Sequence, residues 1–98
     1  MQVQVVENWA ELSGTIRKIE PHASLENYWT ALLEVEEVTS VPDYPNLFEW
    51  AKGRTIEVNI PASKVQELGL SPGKKIAGRV RKAGPTSAFV RPDTVVTR

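Results

Sequence analysis

The stretch VQELGLSPGKKIAGRVRKAGP, Val65 to Pro85, carries a helix end, a tight turn and a strand in immediate succession. Val65 and Leu68 are spaced to form one apolar stripe on a short helix that begins near Ala62. Gly69 is expected in the left-handed conformation that closes a helix, with Leu70 packing back beneath the last turn. Ser71, Pro72 and Gly73 reverse the chain. The residues that follow then alternate, with Ile76, Gly78 and Val80 on one side and Lys75, Arg79 and Arg81 on the other. A single helix therefore leads into a strand with an apolar inner face and a basic outer edge.

Working outward from that junction, the period of two recurs on both sides. RTIEVNIP places Ile56, Val58 and Ile60 inward and Thr55, Glu57 and Asn59 outward, and stops at Pro61, which cannot donate to a ladder. YWTALLEVEEV alternates Trp29, Ala31, Leu33 and Val35 against Tyr28, Thr30, Leu32 and Glu34, then slips phase at Glu36-Glu37. ELSGTIRKIEP sets Leu12, Gly14 and Ile16 on one face and slips at Ile19, as a bulge near Lys18 would require. After a basic, flexible RKAGPTS loop, SAFVRP reads as the last strand. Between the second and third strands, residues 39–53 contain two prolines and a glycine among several aromatic residues, the pattern of a semi-ordered flap.

Five short strands with one brief helix between the third and fourth define an all-β chain with the order of the five-stranded OB-fold Greek-key barrel, whose helix caps the open end. Gly14 and Gly78 fall at inward positions where such a barrel turns its corners. Other small barrels share the strand number and the glycine corners but lack a helix at that point. A chain of 98 residues with 41% hydrophobic content suits one domain over residues 1–98 and one modest core. Cysteine is absent, which excludes disulfides, thiolate metal sites and thiol nucleophiles. No apolar run is long enough to span a bilayer, and the first residues lack the basic start and apolar middle of a secretory signal, so a soluble cytoplasmic protein with no membrane partner is expected.

The formal net charge is +0, yet its distribution is lopsided. The first fifty residues hold nine acids against Arg17 and Lys18. From Ser71 onward Lys74, Lys75, Arg79, Arg81, Lys82, Arg91 and Arg98 face only Asp93. Either the two ends neutralise each other across strands or the basic end meets an anionic partner.

LSGTIRKIE together with IEVNIPASKVQELGLSPGKKIAGRV resembles the OB-related domains that bind molybdate and tungstate or that end transporter ATPases (TOBE and Mop-like domains). That resemblance implies an oxyanion ligand. The chain departs from the pattern in having NWAE where those domains carry their anion-wrapping Ser-Ala-Arg-Asn segment, Pro61 where they have Thr or Ser, and a long insertion around the second strand. The longer second strand and the aromatic loop after it resemble OB domains of the single-strand DNA-binding and replication protein A type. In that family the outer face of the second and third strands receives bases on aromatic rings while basic residues follow the backbone. The resemblance implies a single-stranded DNA or RNA site at Tyr28, Tyr44, Phe48, Trp50, Lys52, Arg54, Arg79, Arg81 and Lys82. Glu34, Glu36 and Glu57 on the same side would repel phosphates.

Enzymatic chemistry is not expected, because the chain has no Gly-rich phosphate loop and no nucleophile elbow, and no cofactor is expected either. His22 stands alone after Pro21, without a second histidine or a cysteine to share a metal, and reads as a surface residue. Trp29 reads as core, and Trp9 and Trp50 as candidate lids over a barrel mouth. Three expectations emerge: a weak single-stranded nucleic-acid module, a protein-interaction module of a larger assembly, and an oxyanion-binding domain.

Overall fold

The period-two segments become strands in the computed structural model, which describes residues 7–84 and 87–98. β1, Ala10–Pro21, and β2, Tyr28–Ser40, pair as a long antiparallel hairpin. Both phase slips in the sequence are extra residues in this ladder. Arg17 is unpaired between the partners Ile16–Leu33 and Lys18–Leu32, and Glu36 is unpaired between Ser13–Glu37 and Gly14–Val35. Each bulge bends the hairpin and returns the apolar residues beyond it to the inner face. Gly14 sits beside the second bulge, where a β-carbon would overlap the carbonyl oxygen of Glu34. Only glycine allows the two backbones to approach so closely at that corner.

β3, Thr55–Pro61, continues the sheet antiparallel to β2. α1, Ala62–Leu68, follows at once, and its end has the form expected from the sequence. Gly69 has φ 60°, its N–H donates to the Gln66 carbonyl, and the Leu70 N–H donates to the Val65 carbonyl at 3.0 Å. This pairing satisfies carbonyls that the helix leaves free and seats Leu70 against Val65, both buried. Gly73, at φ 92°, completes the turn into β4, Lys75–Lys82. β4 pairs antiparallel with β1, and β5, Ala88–Val90, lies between β4 and β3, parallel to β3 through Asn59 and Phe89.

The strand circuit β1-β2-β3-β5-β4 returns to β1, making a closed five-stranded mixed β-barrel with one helix between β3 and β4, compatible with an OB-like fold. Leu12, Ile16, Ala31, Leu33, Val35, Val58, Ile60, Ile76 and Val80 fill it, and Val65 and Leu70 plug one end. Each large apolar side chain so buried contributes about 1.5–3 kcal/mol relative to exposure. Trp29 is half-buried and packs against this core. Among the described residues, no helix is long and apolar enough to cross a membrane.

Two segments depart from the sequence expectation. The aromatic stretch 39–53 is a packed cap and not a semi-ordered flap: Val41, Phe48 and Ala51 are buried, and a 3-10 turn spans Glu49–Ala51. Backbone bonds from the Gly53 N–H to the Val35 carbonyl (2.8 Å) and from the Val35 N–H to the Arg54 carbonyl (2.9 Å) fasten it to β2. The end of the chain also adds a strand that its residues did not announce. After a 3-10 turn at Pro92–Thr94, β6, Val96–Thr97, pairs with Ile76 and Ala77 of β4.

Candidate nucleic-acid interface

Strand parity turns Tyr28 and Thr30 of β2, Asn59 of β3, Phe89 of β5 and Arg81 of β4 to the outside of the barrel. The ladder sets them side by side. Thr30 is opposite Asn59, Asn59 opposite Phe89, and Phe89 opposite Arg81. The Thr30 hydroxyl donates to the Asn59 side-chain oxygen at 3.2 Å, so the buried amide of Asn59 is held in place. Tyr28 and Phe89 meet edge to face with ring centroids 5.7 Å apart. The Arg81 guanidinium lies 5.6 Å from the centroid of Phe89. A cation over a ring at this distance is weakly attracted, by about 0.5–1 kcal/mol at an exposed site, and is kept near the ring without being neutralised.

A second ring and cation pair lies next to this row. Trp50, half exposed at 50% on the 3-10 turn of the cap, has the Lys82 ammonium 5.6 Å from its centroid, and its indole N–H donates to the Leu47 carbonyl at 2.8 Å. Lys82 is fixed by a contact from far along the chain. Its backbone N–H donates to the Asn8 side-chain oxygen at 2.8 Å, and its carbonyl accepts from the Asn8 side-chain nitrogen at 2.9 Å. Asn8 is 2% exposed, so this amide extends the β4 ladder as another strand would. A cleft of about 390 Å³ opens between the cap and the start of β5, with Phe48, Trp50, Thr55, Glu57, Lys82 and Ser87 on its walls.

The structure redistributes the residues that the sequence nominated. Tyr28 and Arg81 meet at Phe89 on this face, while Trp50 and Lys82 meet at the cleft, with Lys82 on the other side of β4 from Arg81. Phe48 is corrected: at 2% exposure it is core and forms the cleft's inner wall, so it offers no open ring face for stacking. Tyr44 is exposed in the cap but lines no part of the cleft. Lys52 pairs with Glu37 at 3.6 Å, and Arg54 sits at the cap-to-β3 junction. Arg79, outward on β4 like Arg81, lies in a separate groove beside β1, where it meets Glu11 at 3.4 Å. Phe89 was missed. Its three-residue strand is too short for parity to reveal an outward ring, and only the pairing with Arg81 and Asn59 does so.

The basic edge expected on β4, together with Arg17 of β1, is largely neutralised across strands. Arg17 pairs with Glu34, Lys75 with Glu36 at 3.4 Å, and Arg79 with Glu11. Each of these pairs is substantially exposed and contributes only about 0–1 kcal/mol to stability, but each removes a free charge from that surface. The Glu57 carboxylate, by contrast, has no ion-pair or hydrogen-bond partner among the described residues. His22 acts in the β1–β2 turn, where its Nδ1 accepts the backbone N–H groups of Ser24 (3.0 Å) and Leu25 (2.9 Å).

The fold defines a class: a small closed mixed β-barrel, compatible with an OB-like fold, with two ring and cation pairs near the end of β4. No protein-family model matches the chain, and no curated protein matches it.

Proposed function

We propose that this barrel is a non-enzymatic cytoplasmic binding module that holds single-stranded nucleic acid, DNA or RNA, weakly across the outer face of β2, β3, β5 and β4. The observation that carries the reading is that two ring and cation pairs, Phe89 with Arg81 and Trp50 with Lys82, stand on consecutive residues at the end of β4. An unstacked base needs a flat apolar surface, and the phosphate beside it needs a positive charge within reach. Stacking on one exposed ring contributes about 1–3 kcal/mol per base, so the exposed Trp50 with the partly exposed Tyr28 and Phe89 gives weak affinity. The resemblance to OB domains of the single-strand DNA-binding type supports the same face.

The oxyanion reading is less well supported. The NWAE stretch occupies the place of the anion-wrapping segment, and here Asn8 clamps the Lys82 backbone while Glu11 pairs with Arg79. The protein-interaction reading draws on the exposed Tyr44 and Leu47 of the cap. A fluorescence titration with a short oligothymidylate separates these readings, since the chain has three tryptophans, one of them on the face. Binding should weaken as salt rises, with a logarithmic slope of about −0.7 per phosphate contacted. Absence of any signal at low salt would overturn the nucleic-acid reading in favour of a protein partner.

A further inference from the structure

The cleft beside Trp50 contains one feature that a purely electrostatic strand-binding surface would exclude. Most of the acids on β1 and β2 are matched: Glu11, Glu34, Glu36 and Glu37 each contact a lysine or arginine. Glu57, which stands on β3 at the wall of the cleft, is left unpaired among the described residues, although Lys82 lines the same space. A bare carboxylate facing a phosphate path weakens binding to every sequence alike. The same carboxylate facing the edge of a base discriminates between bases, because it accepts hydrogen bonds and donates none.

We propose that this cleft is a base-selective subsite for guanine, with Trp50 as the stacking wall and Glu57 as the reader of the base edge. The inference rests on the nucleic-acid reading for the strand that would deliver the base. Guanine is the base whose Watson–Crick edge presents two adjacent donors, N1–H and the N2 amine, which match the two oxygens of one carboxylate. Its O6 beside them is an acceptor, and Lys82 supplies an ammonium donor within the same walls. Cytosine and adenine each offer one amine next to an unprotonated ring nitrogen, so one carboxylate oxygen faces a lone pair. Thymine and uracil present one N–H flanked by two carbonyls and are the most strongly disfavoured. The hydroxyls of Thr55 and Ser87 line the cleft without favouring any one base, since a hydroxyl both donates and accepts. A volume of about 390 Å³ falls at the small end of the usual range for ligand pockets, suited to one base and not to a folded partner.

The test is a titration of the full chain with oligothymidylates that carry a single central guanine, cytosine or adenine, beside free guanosine and thymidine, for the unaltered protein and for Glu57→Gln. The guanine-bearing strand should bind about tenfold more tightly than oligothymidylate, the scale of a bidentate base contact. Guanosine should quench tryptophan fluorescence where thymidine does not. In Glu57→Gln the guanine preference should fall below about twofold while oligothymidylate itself binds more tightly, because a repelling charge has gone and the two-acceptor edge with it. Glu57 is exposed, so this substitution leaves the core untouched. Strands that bind with equal affinity whatever the base, or a Glu57→Gln variant that strengthens all of them equally, would overturn the guanine subsite and leave the nucleic-acid reading intact. Guanosine binding without strand binding would keep the cleft and overturn that reading. No binding of either kind overturns both.

Discussion

Two sides of the barrel use the same residue types in opposite ways. Along β1, the adjoining part of β2 and the first half of β4, arginine and lysine are matched to glutamate on another strand, as Arg17 is to Glu34, Lys75 to Glu36 across the intervening β1, and Arg79 to Glu11. Around β5, only a few residues along β4 from Arg79, Arg81 and Lys82 lie over aromatic rings, and Glu57 lacks a cation. A cation paired with a carboxylate has little field left to offer a ligand, whereas a cation over a ring keeps its full charge. The paired side closes the sheet on itself quietly. The ring side keeps its charge and its flat surfaces available. The difference shows that net charge along a strand is a poor guide to where a ligand binds, and that the identity of the cross-strand neighbour decides it.

The contrast depends first on the cap that carries Trp50 being part of the core. Phe48→Ala should cost about 3–5 kcal/mol of stability by chemical denaturation, because a buried aromatic leaves a large cavity. A loss below about 1 kcal/mol would return the cap to a loose flap and remove the fixed wall of the cleft. On the paired side, the register that brings each glutamate within reach of its cation depends on the close approach at Gly14. Gly14→Ala should destabilise by about 2–3 kcal/mol, since the added methyl meets backbone and not a movable side chain.

Ligand binding sharpens the comparison more directly. Phe89→Ala should weaken oligothymidylate binding by about 1–2 kcal/mol, roughly five- to thirtyfold, while Arg79→Ala on the paired side should change it less than about twofold. Equal losses at the two positions would mean that the ligand covers both sides. The smallest effect is expected in a double-mutant cycle on Glu11 and Arg79, read by thermal unfolding, where a coupling of about 0.2–1 kcal/mol identifies a surface pair that screens charge and adds little stability. A coupling several times larger would make that pair a structural element in its own right.

How much of this was legible in the chain differs between core and surface. The phase slips at Ile19 and at Glu36-Glu37 marked both bulges, since a missed beat in a period of two leaves few other options for a strand with one buried face. The helix end at Gly69 and Leu70 was equally plain, because its cap uses only residues adjacent in sequence. The cap was misread as a flap because prolines and a glycine are local signals of irregular backbone. Burial of Phe48 under the barrel is not a local property. Of the nine residues nominated for the site, Tyr28 and Arg81 meet at Phe89 while Trp50 and Lys82 meet at the cleft beside Glu57, and Phe89 and Glu57 enter through cross-strand and cap neighbours that no spacing in the sequence records.

The sequence by itself determined the five barrel strands, their inward faces, the single helix and the turn that follows it, because alternation, proline and glycine act through the backbone of the residues that carry them. The closure of β4 onto β1, the clamp of Asn8 on Lys82 and the sorting of cations between carboxylates and rings were decided only when residues far apart in the chain became neighbours. Those pairings depend on distances of a few ångströms across the sheet, and Coulomb and ring interactions fall off too quickly with distance to be set by composition alone.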